Sequence, residues 1–299
     1  MRRTIELPGP LDLARTMRRT AFLGLDPTGF VRDGAYHGAF RTPEGPVAVT
    51  YRPLDEARVE AQAWGPGAAR ALDAAPAHLG ADDRPEAFVT DDRRVGALAR
   101  RLRGLRFGRS GRVLERLVPA ILGQKVTGKG AARSFADLVH RHGERAPGPT
   151  EGLWLPPAPE VLASMSYADF HPLGVERRRA ETILRVARRA ASLERLAADG
   201  PDALEARLLA FRGVGPWTAA LVRTAVFGDP DAVIVGDYNL PHLVAHALAG
   251  EARADDARML ALLEPFRPHR GRVVALLAAS GTGAPRFGPR LPVRDIRGL

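Results

Sequence analysis

The sequence predicts an α+β chain, with an N-terminal antiparallel sheet and its helices followed by an all-helical remainder. Two observations carry this reading. Up to about residue 65 the chain alternates apolar and polar residues or runs through β-branched ones, with turn residues between the runs. From about residue 86 the apolar spacing changes to 3.6 residues and is kept thereafter. The boundary falls near residue 88, giving a mixed domain over 1–88 and a helical part over 89–299.

In chain order, LDLARTMRRTAFLG has helical spacing, and GFVRD, AYHGAFRT, PVAVTYRP and ARVEAQAW read as strands. Turns such as DGAY and TPEGP separate those strands, which suits antiparallel hairpins packed on a helix. GPGAARALDAAPAHLG gives a short helix ended by Gly80. Val113, Leu114, Leu117, Val118, Ile121 and Leu122 then share one helical face, although Pro119 is expected to kink or restart that helix. Phe135, Leu138 and Val139 belong to the next helix, closed by Gly143, and APGPTEGLWLPPAPE is a Pro/Gly-rich connection. Amphipathic helices follow in VERRRAETILRVARRAASLERLA, PDALEARLLAF, MLALLEPF and GRVVALLAAS. Arg177 to Arg179 read as a solvated helix face. The final GTGAPRFGPRLPVRDIRGL is irregular and basic.

Composition narrows the function. There is no cysteine, which excludes disulfides, thiolate metal sites and cysteine-ligated iron–sulfur clusters. No run of 18 apolar residues exists, and the start lacks the apolar core of a signal peptide, so a soluble, cytoplasmic protein is expected. Net charge is +10 and unevenly placed. Residues 1–90 hold 11 Arg against 12 Asp and Glu, whereas residues 91–299 hold 33 basic against 22 acidic side chains. A basic field over one part of a chain suits a polyanion such as nucleic acid, while an Arg-rich codon bias explains the same count without function.

The stretch GQKVTGKG (123–130) resembles a nucleotide-binding loop and holds the only two lysines, Lys125 and Lys129. The nucleotide reading fails, because such a loop leaves a buried strand and ends in a Ser or Thr hydroxyl. Here the preceding segment is helical and Gly130 takes the hydroxyl's place. His242 and His246 have i, i+4 spacing, but Leu243 replaces the glutamate of a zinc-protease helix.

LLAFRGVGPWTAALVRTAVFG (208–228) is the most informative segment. Two apolar helices flank a tight Gly213-Val214-Gly215 turn, and Pro216 suits the first position of the second helix. This is a helix–hairpin–helix, whose free helix-start amides seat a phosphate without reading sequence. Twenty residues after Trp217, Asp237 stands in VIVGDYNL, where an aspartate by itself reads as the cap of the next helix.

LVPAILGQKVT, FRGVGPWTA and VIVGDYNL, in this order and spacing, resemble the helix–hairpin–helix GPD DNA glycosylases, and among them the 3-methyladenine DNA glycosylase II (AlkA) type. The resemblance spans nearly the whole chain and is most specific over 113–135 and 205–240. It implies a TBP-like N-terminal domain and a glycosylase core. That core has one subdomain over about 113–230, containing the hairpin at 208–228, and a second from about 89–112 plus 231–299, with a lesion cleft between them. The implied activity flips a damaged base, here an alkylated purine, from duplex DNA and hydrolyses its glycosidic bond. Asp237 is then the catalytic carboxylate, set against an oxocarbenium-like sugar.

In the same family pattern, Trp217 and Tyr238 wall the base pocket, though both residue types also serve as core packing. Gly213, Gly215 and Thr218 hold a phosphate through their amides, and the carbonyls of Leu209, Phe211 and Val214 bind a monovalent or divalent cation. Trp217 stands where bifunctional relatives carry a Schiff-base lysine, so no lyase activity is expected, and without cysteine no iron–sulfur cluster and no required cofactor are expected. Leu221 and Ala278 fall where close relatives are aromatic, which puts the substrate range in question. Gln124 and Lys125 occupy the duplex-entering wedge, with Lys129 on a phosphate nearby. The expected partner of this nucleoid-associated monomer is damaged duplex DNA. Glycosylases for oxidised or deaminated bases, and a non-catalytic binder of damaged DNA, are the alternatives.

Overall fold

A computed structural model describes residues 1–19, 25–281 and 283–285. The N-terminal part is a five-stranded antiparallel sheet in the order β1-β5-β4-β3-β2. Its strands are β1 (Arg2–Glu6), β2 (Gly29–Arg32), β3 (Ala35–Thr42), β4 (Gly45–Pro53) and β5 (Arg58–Trp64). Helices α1 (Leu13–Arg18) and α2 (Ala68–His78) accompany it. Alternation sets the register, with Val49 opposite Ala63 and Tyr51 opposite Ala61. Val47, Val49, Tyr51, Val59, Ala61 and Ala63 bury one face with Met17 of α1 and Leu72 of α2.

The sequence reading missed β1. It is an edge strand in which only Ile5 is buried, so it carries almost no apolar pattern. The connection after residue 143 is more than a loop. It forms a two-stranded ribbon, β6 (Glu144–Arg145) and β7 (Trp154–Leu155), and packs Leu153 and Leu155 on Ala39 and Ala48 of the sheet's second face.

Twelve helices follow the sheet domain among the described residues: α3 (Arg93–Arg101), α4 (Val113–Leu122), α5 (Gly128–His142), α6 (Pro159–Ser164), α7 (Tyr167–Phe170), α8 (Arg177–Ala187), α9 (Ala190–Leu196), α10 (Pro201–Leu209), α11 (Pro216–Phe227), α12 (Leu240–Ala249), α13 (Asp256–Leu263) and α14 (Arg270–Ala279). Their buried side chains form two clusters. One runs from Val113 to Val226 and is centred on α4, and the other joins Phe88, Val95 and Phe107 to Val244–Leu277. Residues 20–24 of the expected first helix and residues 286–299 of the basic tail lie outside the described residues.

α4 runs through Pro119 without the interruption expected there. Both of its ends are held by ionisable side chains. The Glu194 carboxylate accepts the Val113 and Leu114 amides at 2.9 and 2.8 Å, capping the N-terminus, and burial pushes its carboxyl above the usual range. Arg179 donates to the Leu122 carbonyl at 2.8 Å, capping the C-terminus. Arg179 is therefore buried, at 5% exposure, while its neighbours Arg177 and Arg178 keep the solvated position read for all three.

Candidate active site

The site begins where α4 ends. Its C-cap Gly123 lies against the Trp217 ring, and a Cβ there would stand 3.1 Å from the indole. Gln124 follows, and its amide nitrogen donates to the Gly213 carbonyl at 2.9 Å and to the Thr218 hydroxyl at 2.8 Å. The side chain expected to enter a duplex is thus engaged with the hairpin, fixing the position of that turn relative to α4. Lys125 comes next, exposed, with φ of 56° in the left-handed region that non-glycine residues adopt at a cost of about 1–2 kcal/mol. Thr127 then caps α5 by accepting the Gly130 amide at 3.2 Å, which accounts for the Thr-Gly-Lys-Gly spelling without a nucleotide. Lys129 lies exposed in the first turn of α5.

The hairpin glycines differ in what they require. Gly213 has φ of 96°, and a Cβ would meet Thr182 Oγ1 of α8 at 2.2 Å, so both conformation and packing demand glycine. Gly215 is extended at φ −110°, and a Cβ would meet nothing within 4 Å. Gly215 is therefore not required by its backbone conformation, and the space beside it is open. Among the carbonyls of the turn, Phe211 accepts the Val214 amide at 2.9 Å, Arg212 accepts Arg185 at 3.0 Å and Gly213 accepts Gln124. Leu209, at the end of α10, is 44% exposed.

α11 starts at Pro216 and carries Trp217 and the buried Thr218 in its first turn. Trp217 Nε1 donates to Asp237 Oδ2 at 3.2 Å. The other oxygen, Oδ1, accepts the amides of Asn239 and Leu240 at 2.8 and 3.0 Å at the start of α12. The cap reading of Asp237 therefore holds for Oδ1, while Oδ2 faces the Trp217 indole. Three donors fix its plane, and it remains partly open to solvent.

Gly236, with φ of 78°, brings the chain to within 3.5 Å of Trp217 Cβ, measured from its ideal Cβ. Its amide donates to Asp256 Oδ2 at 2.8 Å, and Asp256 Oδ1 is shielded from solvent without a protein partner. Further back, Asp231 binds Arg270 of α14 through both carboxylate oxygens. Asp256 and Asp231 hold the loop that ends at Asp237, and both escaped the sequence reading. Their spacing from Asp237 follows no motif, although Asp256 at the start of a helix is a visible helix-start signal.

Other expected pocket residues lie apart from this line of contacts. Tyr238 is 73% exposed and meets His242 edge-on at 5.7 Å. Leu221 is half-buried against the α4-centred core, and Ala278 is exposed on α14. His242 Nδ1 accepts the Ala254 amide at 3.2 Å, and no group of three or more His, Asp or Glu suited to a metal occurs among the described residues.

Comparison with known proteins gives the same segments their context. The model of the HhH-GPD superfamily base excision DNA repair proteins matches residues 118–268, from α4 to the turn after α13. A Bacillus subtilis (strain 168) protein, YfjP, bearing the name of a DNA-3-methyladenine glycosylase, is 29% identical over 137 residues, covering 44% of this chain and 46% of its own. A Mycobacterium tuberculosis protein named as a bifunctional transcriptional activator/DNA repair enzyme, AlkA, is 32% identical over 225 residues, covering 70% of this chain and 43% of its own. The matched segments thus span under half of each of these relatives. In fold, the chain is similar to a 3-methyladenine DNA-glycosylase from Archaeoglobus fulgidus, with a TM-score of 0.74, 24% identity, and coverage of 92% of this chain and 97% of that one. The matched region contains the α4 loop, the hairpin and the aspartate loop, and the chain belongs to the HhH-GPD superfamily of base excision DNA repair proteins.

Proposed function

We propose that the chain is a monofunctional DNA glycosylase that flips a damaged, alkylated purine out of duplex DNA and hydrolyses its N-glycosidic bond. The observation that carries this is the Asp237 carboxylate, oriented by two backbone amides and the Trp217 indole and joined through Trp217 to the hairpin segment. As a base departs, positive charge grows on the sugar, and a fixed carboxylate nearby stabilises it without reorganising. An alkylated purine is already cationic, so it leaves without a strong general acid. The half-buried Trp217 and the exposed Tyr238 offer ring faces to such an electron-poor base.

Trp217 brings no amine to the place where a Schiff base forms in bifunctional relatives, so water is the nucleophile and no strand cleavage follows. Around this centre, the open side of Gly215 and the amides beginning α11 seat a backbone phosphate. The neutral carbonyl oxygens of Leu209, Phe211 and Val214 suit a monovalent or divalent cation bridging to that phosphate. Lys125, exposed at the apex of its loop, stands for the wedge in the gap left by the flipped base, with Lys129 on a neighbouring phosphate. The lesion cleft lies between the two helical cores, and the chain works as a monomer on nucleoid DNA. No helix among the described residues is long and apolar enough to cross a membrane.

The test is release of free base from duplexes carrying alkylated, oxidised or deaminated purines. Release confined to alkylated substrates supports this reading, release of oxidised or deaminated bases reassigns the substrate, and release from none replaces catalysis by damage binding.

A further inference from the structure

Beside the hairpin lies a basic groove on a different element. Arg178, Thr182 and Arg185 recur along one face of α8, at i, i+4 and i+7, and Arg188 and Arg189 follow in the turn between α8 and α9. The hairpin rests on this face, because Gly213 packs against Thr182. Arg185 secures the junction, donating from one nitrogen to the Thr182 hydroxyl and to the Arg212 carbonyl, each at 3.0 Å. One turn further on, Arg185, Arg188, Arg189 and Phe211 line an open groove of about 450 Å³.

Two arginines of this groove differ from Arg185 and from the ion-paired arginines elsewhere among the described residues. Arg223 engages three carboxylates and Arg270 two. The side chains of Arg188 and Arg189, both exposed, carry no hydrogen bond or ion pair among the described residues, and neither does Arg212 at the turn. A basic residue at a helix C-terminus is commonly explained by the helix dipole, and Arg188 is the C-cap of α8. That explanation fits one cation near the last carbonyls. It leaves unexplained a concave cluster of three with an aromatic floor.

We propose that Arg188 and Arg189, with Arg185 behind them, form a second phosphate seat for the DNA strand held by the hairpin. The inference rests on the proposed function only in taking the hairpin as a DNA grip. From Thr182 to Arg188, the C-cap of α8, is about 9 Å along the helix at 1.5 Å per residue, or roughly three steps of 3.4 Å along a strand. The seat therefore extends the footprint past the phosphate at Gly215. Guanidinium groups suit it because they meet phosphate oxygens in pairs, and Phe211 keeps the floor of the groove apolar.

The experiment measures affinity for an undamaged duplex against salt concentration. For the wild-type chain, log K falls linearly with log salt, and each phosphate contact contributes about 0.9 to the slope. The double variant Arg188→Gln/Arg189→Gln is expected to lower the slope by about 1–2, which weakens binding by roughly eightfold or more at 0.1 M salt relative to 1 M. Arg188→Lys/Arg189→Lys keeps the charge and is expected to keep the slope. Arg3→Gln/Arg70→Gln, on the sheet domain, removes the same net charge and is expected to leave the slope unchanged. A wild-type slope in the Arg188/Arg189 glutamine variant overturns the proposal, as does an equal loss in the Arg3/Arg70 control. Base release by the wild-type chain is scored separately. Its absence with the slope loss intact removes the glycosylase reading and leaves the phosphate seat.

Discussion

Asp237 joins a capping role to the chemistry proposed for it. Oδ1 starts α12 by accepting two amides, while Oδ2 faces the indole of Trp217, so the capping bonds also orient the carboxylate proposed to react. The residue before it is held in turn by Asp256, whose role is to accept the Gly236 amide. Asp256→Ala removes that acceptor and is expected to slow base release roughly tenfold or more, since small misplacements of a catalytic group are costly. Asp256→Asn keeps an oxygen acceptor and is expected to retain most of the rate at unchanged KM. Equal loss in both variants, measured by single-turnover kinetics, contradicts a positioning role. At this scale the sequence offered candidate residues but not where their side chains point. Gln124 was legible as a site residue, yet its amide is committed to Gly213 and Thr218, a direction no spacing encodes.

Among elements, the hairpin separates internal from external constraint. Gly213→Ala meets both a left-handed φ and Thr182 Oγ1, and is expected to destabilise the fold by roughly 2–5 kcal/mol in urea unfolding. Gly215→Ala meets open space, so stability should stay within about 0.5 kcal/mol of wild type. Its methyl enters the space assigned to phosphate, and duplex affinity is expected to fall roughly tenfold or more. Unchanged affinity in Gly215→Ala contradicts the phosphate seat at the hairpin. Strong periodicity makes α4, α5 and α8 legible in the sequence, and the hairpin motif does the same for α11. Weakly patterned pieces were not: β1 buries one residue, and α6 and α7 have six and four residues. Arg179 was misread for a related reason, because a basic triplet does not reveal which member faces a helix end.

At the scale of the whole molecule, a sheet domain braces a helical one through buried charge. Asp83 accepts both the Arg272 guanidinium of α14 and the Phe107 amide, and Arg106, 1% exposed, donates to the carbonyls of Pro10, Gly80 and Asp83. The sheet domain also contains a pH-sensitive element. His78 is packed among Tyr36, Phe40 and Tyr51 with Nε2 unpartnered, and burial, reinforced by Arg112 and Arg116, holds its pKa well below the usual 6.5. The folded chain keeps this ring neutral while the unfolded chain binds a proton below pH 6.5. Its contribution to stability is therefore present above that pH and lost as pH falls, at up to about 1.4 kcal/mol per pH unit. Urea midpoints from pH 7.5 to 5 are expected to show this slope, reduced by one proton in His78→Leu. An unchanged slope in that variant removes the assignment.

The uneven charge, legible from composition alone, suits the DNA grip proposed for the helical part and leaves the sheet domain of balanced charge outside it. The most direct test is release of base from a duplex carrying an alkylated purine, measured for the wild-type chain and for Asp237→Asn. The wild-type chain is expected to release free base without cutting the strand. Asp237→Asn is expected to be slower by about 10²–10³-fold while still binding the duplex. Wild-type rates of release in Asp237→Asn would contradict the central role given to this carboxylate.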